Sequence, residues 1–95
     1  PELLDLNMYD GVWAKSIAYV RNLKPELQHH PFLVWENIYE DVHKCKIIFY
    51  PTSSNNNIYN TASSSLGQYT YRHTALPTLE FEDKGVLLLF LLRVS

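Results

Sequence analysis

The sequence predicts a mainly β chain, with an N-terminal helix over about residues 2–23 followed by a curved antiparallel meander sheet whose strands fall within 32–94. Three observations carry that expectation. Apolar residues of the first quarter recur at spacings of three and four. Beyond Phe32 the apolar residues gather in runs rich in aromatic and β-branched types. Clusters of Pro, Ser, Asn and Gly part those runs. An α+β alternative, one helix packed on an antiparallel sheet of about four to six strands, uses the same elements.

The helical stripe is Leu6, Tyr9, Trp13, Ile17 and Val20, one face of a 3.6-residue period. Leu27 would extend it, but Pro25 stops the helix. Gly11 costs about 1 kcal/mol relative to alanine inside a helix. Val12, Trp13, Ile17, Tyr19 and Val20 also have the bulk that strands favour, so a strand around Trp13 stays open as a second reading. His29-His30-Pro31 marks a loop, because the residue before a proline is pushed out of the helical region.

Strand signals begin at Phe32. Phe32–Tyr39 and His43–Tyr50 are two such runs parted by Glu40-Asp41, and together they read as an antiparallel hairpin. In the second run His43, Cys45, Ile47 and Phe49 share one face, and Lys44, Lys46, Ile48 and Tyr50 the other. Pro51–Asn57 is the clearest loop in the chain. Ile58–Ala62 reads as a short strand, Ser63–Ser65 as a break and Leu66–Thr74 as another strand. Leu79-Glu80-Phe81-Glu82 alternates, and Asp83-Lys84-Gly85 reads as a hairpin turn. Val86–Leu92 is apolar on both faces, as in a central strand buried on both sides. On that reading Leu89→Asp buries an unpaired charge and strongly destabilises the fold.

Composition bounds the function. A chain of 95 residues and 11.1 kDa fits one small domain, 1–95. With 46% hydrophobic and 14% aromatic residues, disorder is not expected. A net charge of -2 and a pI near 6.1 give no basic footprint for nucleic acid. The longest apolar run, Val86–Leu92, is far short of the roughly 20 residues that span a bilayer, so no membrane span is expected. Pro1-Glu2-Leu3-Leu4 lacks the basic stretch and apolar run of a signal peptide. Cys45 is the single cysteine and makes no internal disulfide. It suits a reducing compartment, or a secreted chain whose partner cysteine lies beyond these residues.

The candidate chemistry is thin. His29 and His30 are adjacent and point apart, and His43 and His73 meet only if their strands are neighbours, so surface or loop histidines are expected rather than a metal site. Lys44 and Lys46 flank Cys45 but point away from it in a strand, and burial beside Ile47 is expected rather than a reactive thiol. Glu36, Glu40 and Asp41, like Glu80, Glu82 and Asp83, sit at apparent strand ends and turns, where charge is solvated. The three glycines, at 11, 67 and 85, make no phosphate loop. No catalytic constellation, metal site or cofactor is implied, and no enzyme is expected. The aromatics say more. Seven tyrosines exceed what a small core can bury with every hydroxyl satisfied, which points to a cavity or interface lined by some of them.

Tyr9-Asp10-Gly11-Val12-Trp13 resembles the Gly-x-Trp signature near the start of lipocalins. Ile47–Pro51, Ile58–Thr61 and Leu66–Tyr71 resemble strands and turns of the salivary lipocalins of blood-feeding arthropods. Leu33–Asn37 followed by His43-Lys44-Cys45 is similar to the tick branch. The resemblance implies a secreted antiparallel β barrel with Trp13 closing its floor. It also implies a small hydrophobic or amine ligand, lined here by Trp13, Trp35, Phe49 and Tyr71. Two departures go with it. The family closes about eight strands, and this chain holds fewer, so the barrel is incomplete, and either the chain is truncated or a homodimer or protein partner completes the sheet. The position of the haem-ligating histidine of some members corresponds to Phe49, so no haem is implied.

Two readings result. One is a non-enzymatic, lipocalin-like binder of a small hydrophobic or amine ligand. The other is a cystatin-like protein-interaction module, a helix on a sheet, acting through an exposed edge or the 51–57 loop.

Overall fold

The computed structural model describes residues 1–49 and 76–95. Among them the order is β1 (Glu2–Asp5), α1 (Val12–Leu23), α2 (Glu36–His43), β2 (Cys45–Ile48), β3 (Thr78–Phe81) and α3 (Lys84–Val94). Short 3-10 turns occupy Leu6–Met8, Pro25–His29 and Phe32–Val34. The fold is α+β, helices on a small open sheet. This corrects the expected mainly β meander and the incomplete lipocalin-like barrel.

The sheet has the order β1-β3-β2, all antiparallel. Leu79 of β3 lies opposite Leu4 and Ile47, and Phe81 opposite Glu2 and Cys45. Residues paired in this way share a face, so Leu4, Leu79 and Phe81 together present a buried apolar surface to the helices. Leu3, Glu80 and Lys46 form a row on the other face, with Leu3 and Lys46 exposed. Asn7 ties β1 to the approach to β3: its Nδ2 donates to Leu76 O at 3.0 Å and its Oδ1 accepts from Leu76 N at 3.3 Å. Leu6 N donates to Pro77 O at 3.2 Å just beside it.

The first quarter begins as a strand, and α1 starts only at Val12. Gly11 sets that start, with φ +81 at the N-cap, a left-handed backbone that glycine adopts without strain. Lys24 closes the helix just before Pro25.

The expected hairpin of Phe32–Tyr39 with His43–Tyr50 is replaced by α2 running into β2. Trp35, Ile38, Tyr39 and Val42 stand at i, i+3, i+4 and i+7, a helical stripe, and the inner side of α2 buries Tyr39 and His43. Lys44 ends α2 in the left-handed conformation, with φ 58.

The largest correction is at Asp83–Leu92. Asp83 is an N-cap rather than a hairpin turn, its Oδ1 accepting from Val86 N at 3.0 Å. The apolar run after it is α3 and not a central strand. Leucine is among the better helix formers, and Val86 and Val94 are the segment's β-branched residues. A helix here buries one side, Phe90 and Val94, and leaves the other outside. The core joins both layers, with Leu4, Leu79 and Phe81 from the sheet, Val20, Tyr39 and Phe90 from the helices, and Leu6, Leu27 and Trp35 from the turns and loops.

Candidate functional site

Three of the four aromatic residues expected to line a pocket, Trp13, Trp35 and Phe49, lie among the described residues. Trp13 is half-buried in the first turn of α1, and its ring meets Phe32 edge-on at 5.2 Å and Tyr39 at 5.3 Å. Trp35 is 2% exposed; it stacks edge-on against Phe32 at 4.8 Å and its Nε1 donates to His30 O at 3.2 Å. The two tryptophans thus share Phe32 as a packing partner in the core. Phe49 comes directly after β2 and is 56% exposed. Tyr71 lies outside the described residues, as do His73, the 51–57 loop and the expected strands at 58–62 and 66–74.

One surface depression among the described residues, about 480 Å³, is open and lined by charged residues, Glu40, Asp41, Lys44, Lys46, Glu80 and Glu82, around Cys45 and Phe81. An apolar ligand finds no enclosed wall there. This overturns the small-ligand binder, because a lipocalin site needs the inside of a closed barrel and this sheet is open. Gly11-Val12-Trp13, the residues of the Gly-x-Trp resemblance, form a helix start, and Trp13 packs between helical elements instead of closing a barrel floor.

The histidines separate by burial. His29 and His30 are exposed at the end of a 3-10 turn. His43 is 0% exposed and sits where α1, α2 and α3 meet. Its Nε2 lies 3.0 Å from Ser16 O, a carbonyl that can only accept, so the ring proton is on Nε2. Nδ1 then carries the lone pair, and Arg93 donates to it at 3.5 Å and to His43 O at 3.4 Å. Burial pushes the His43 pKa down to about 4; the Ser16 hydrogen bond opposes this, and the Arg93 charge reinforces it.

Ser16 and Tyr39 complete this buried network. Ser16 Oγ donates to Trp13 O at 2.7 Å, which leaves Tyr39 OH as the donor in its own 2.7 Å contact with Ser16 Oγ. Burial holds the Tyr39 phenol protonated well above its ordinary range. A serine, a histidine and a tyrosine adjoin here, and all three are fully buried.

Cys45 is a free, half-buried thiol whose pKa burial pushes up to about 12, with the Glu40 carboxylate adding to the rise. Such a thiol is protonated and a poor nucleophile at neutral pH. Among the described residues no group of three or more His, Cys, Asp or Glu side chains is placed to hold a metal ion. Glu40 has a different use: its Oε2 accepts from Ile47 N at 2.8 Å. That bond occupies an outward N–H of the edge strand β2.

The feature that sequence reasoning missed is the outer face of α3. Leu88, Leu89 and Leu92 are 51%, 57% and 72% exposed and stand at i, i+1 and i+4, a contiguous patch on one side of the helix. The sequence shows there only an all-round apolar segment, from which periodicity picks out neither a helix nor an exposed side. Compared with known proteins, the chain matches no family model, no curated protein and no solved structure.

Proposed function

We propose that the chain is a non-enzymatic protein-interaction module, a helix-on-sheet fold that docks an apolar helix of another protein on the outer face of α3. The observation that carries this reading is the adjacent exposed trio Leu88, Leu89 and Leu92. Burying one leucine fully is worth about 1.5–3 kcal/mol, so three side by side on one helix offer an apolar patch that a partner surface gains by covering. A helix face is favoured over docking at the β2 edge, since Glu40 already occupies the Ile47 N–H there. The non-enzymatic half of the reading is supported by the sealed Ser16–Tyr39–His43 network and by the protonated Cys45 thiol.

Sedimentation equilibrium tests this, run on the chain alone and with an amphipathic peptide helix bearing a leucine face. The Leu88→Lys/Leu92→Lys double variant serves as the comparison. Association with the peptide that the double variant abolishes, at an unchanged melting temperature, is the expected result. Association with the peptide that survives the substitutions, or none with it, overturns the proposal.

A further inference from the structure

Among the described residues, α1, α2 and α3 meet around the buried imidazole of His43. We infer that His43 and Arg93 form an acid-operated latch that holds α3 against the rest of the core at neutral pH and releases it when His43 takes up a proton. His43 is the last residue of α2, and it is bonded on one side to α1 through Ser16 O and on the other to α3 through Arg93. Phe90 of α3 meets its ring edge-on at 4.9 Å.

Protonation changes one atom decisively. Nδ1 becomes a donor, so the Arg93 N–H that faced a lone pair now faces another N–H, and two cations share a buried site. Among the described residues, nothing in contact with the ring relieves this. α1 contributes Ser16 and Tyr19, α2 contributes Tyr39, α3 contributes Phe90 and Arg93, and β2 places the Cys45 thiol nearby. None of these is a carboxylate. Glu40, one turn back on α2, is committed to Ile47 N. The low pKa of the buried imidazole supports the same reading, with burial first and Arg93 adding to it.

The element that yields is α3. α1 and α2 remain joined by the Tyr39–Ser16 hydrogen bond and by the Trp13–Tyr39 ring contact, neither of which involves Nδ1. α3 meets the junction through Arg93 and Phe90, so releasing it separates the two charges and lets water reach the imidazolium.

Hydrogen exchange resolved along the chain, corrected for the intrinsic pH dependence of exchange, tests the latch from pH 7 to pH 4. The wild-type protein is expected to exchange faster within 84–94 as pH falls below about 6.5, approaching tenfold per pH unit, the limit for one proton, while α1 and α2 stay protected. His43→Gln keeps a donor for Ser16 O and lacks the titration, so its α3 protection stays flat over this range. Arg93→Gln keeps the histidine and removes the second cation, so its acceleration is smaller than in the wild type. Should His43→Gln fail to fold, the Arg93→Gln comparison decides alone. Equal acceleration in α1 and α2, an unchanged response in either variant, or a flat wild-type profile overturns the latch.

Discussion

Gly11 and Lys44 both adopt left-handed backbone, at φ +81 and φ 58, yet only the first is a glycine. For a residue with a β-carbon that conformation costs about 1–2 kcal/mol, and the extra freedom of glycine in the unfolded chain returns part of it. Lys44→Gly is therefore expected to stabilise the fold by up to about 1 kcal/mol, measured as a rise in the urea midpoint at constant slope. Asp83 shows why residue-level signals are ambiguous. An Asp before Lys-Gly suits a turn, but a side chain that accepts from a backbone N–H three residues on is also an N-cap. The segment Lys84–Val94 decides between them by forming a helix. Asp83→Ala should cost about 1 kcal/mol by loss of the cap, readable by thermal denaturation.

At the scale of elements, two segments mislead for the same physical reason. Phe32–His43 is rich in aromatics, which suggests a strand, but its buried residues, Trp35, Tyr39 and His43, repeat every four positions, as on one side of a helix. Val86–Leu92 is apolar throughout, so periodicity is silent and composition alone cannot tell a buried strand from a helix. By contrast, the alternating Leu79-Glu80-Phe81 marked β3 correctly at the local level, because both of its apolar residues face the helices. The helical form of α3 reverses the expectation for Leu89. With that side chain 57% exposed, Leu89→Asp should change stability by no more than about 0.5 kcal/mol. Its neighbour Phe90 is fully buried against Phe81 and His43. Phe90→Ala should cost about 3–5 kcal/mol. Chemical denaturation of the two variants gives the contrast, and equal losses would restore the strand reading.

The molecule as a whole carries a pH signature on its alkaline side. Cys45 keeps its proton in the folded state up to about 12, against an ordinary 9.0, and burial raises Tyr39 as well. Between those limits the unfolded chain binds fewer protons than the folded one, so stability must fall as pH rises above about 9. Unfolding midpoints at pH 8 and pH 11 should differ in that direction, and Cys45→Ala should flatten part of the fall. The α3 surface and the His43 junction were not legible in the sequence. Leu88, Leu89 and Leu92 become a surface only when α3 is a helix, and Tyr39, His43 and Ser16 meet only through the packing of α1 on α2. The strand order is likewise invisible to local pattern, since β3 sits between two strands that both precede it. That arrangement has a consequence in time. During synthesis β1 and β2 emerge first and have no partner in this sheet until β3 leaves the ribosome, whereas α1 and α2 can form from nearby residues. Closing the sheet spans a long stretch of chain and is rewarded only at the end. Until then Leu4, which the finished sheet buries, is unpaired and exposed.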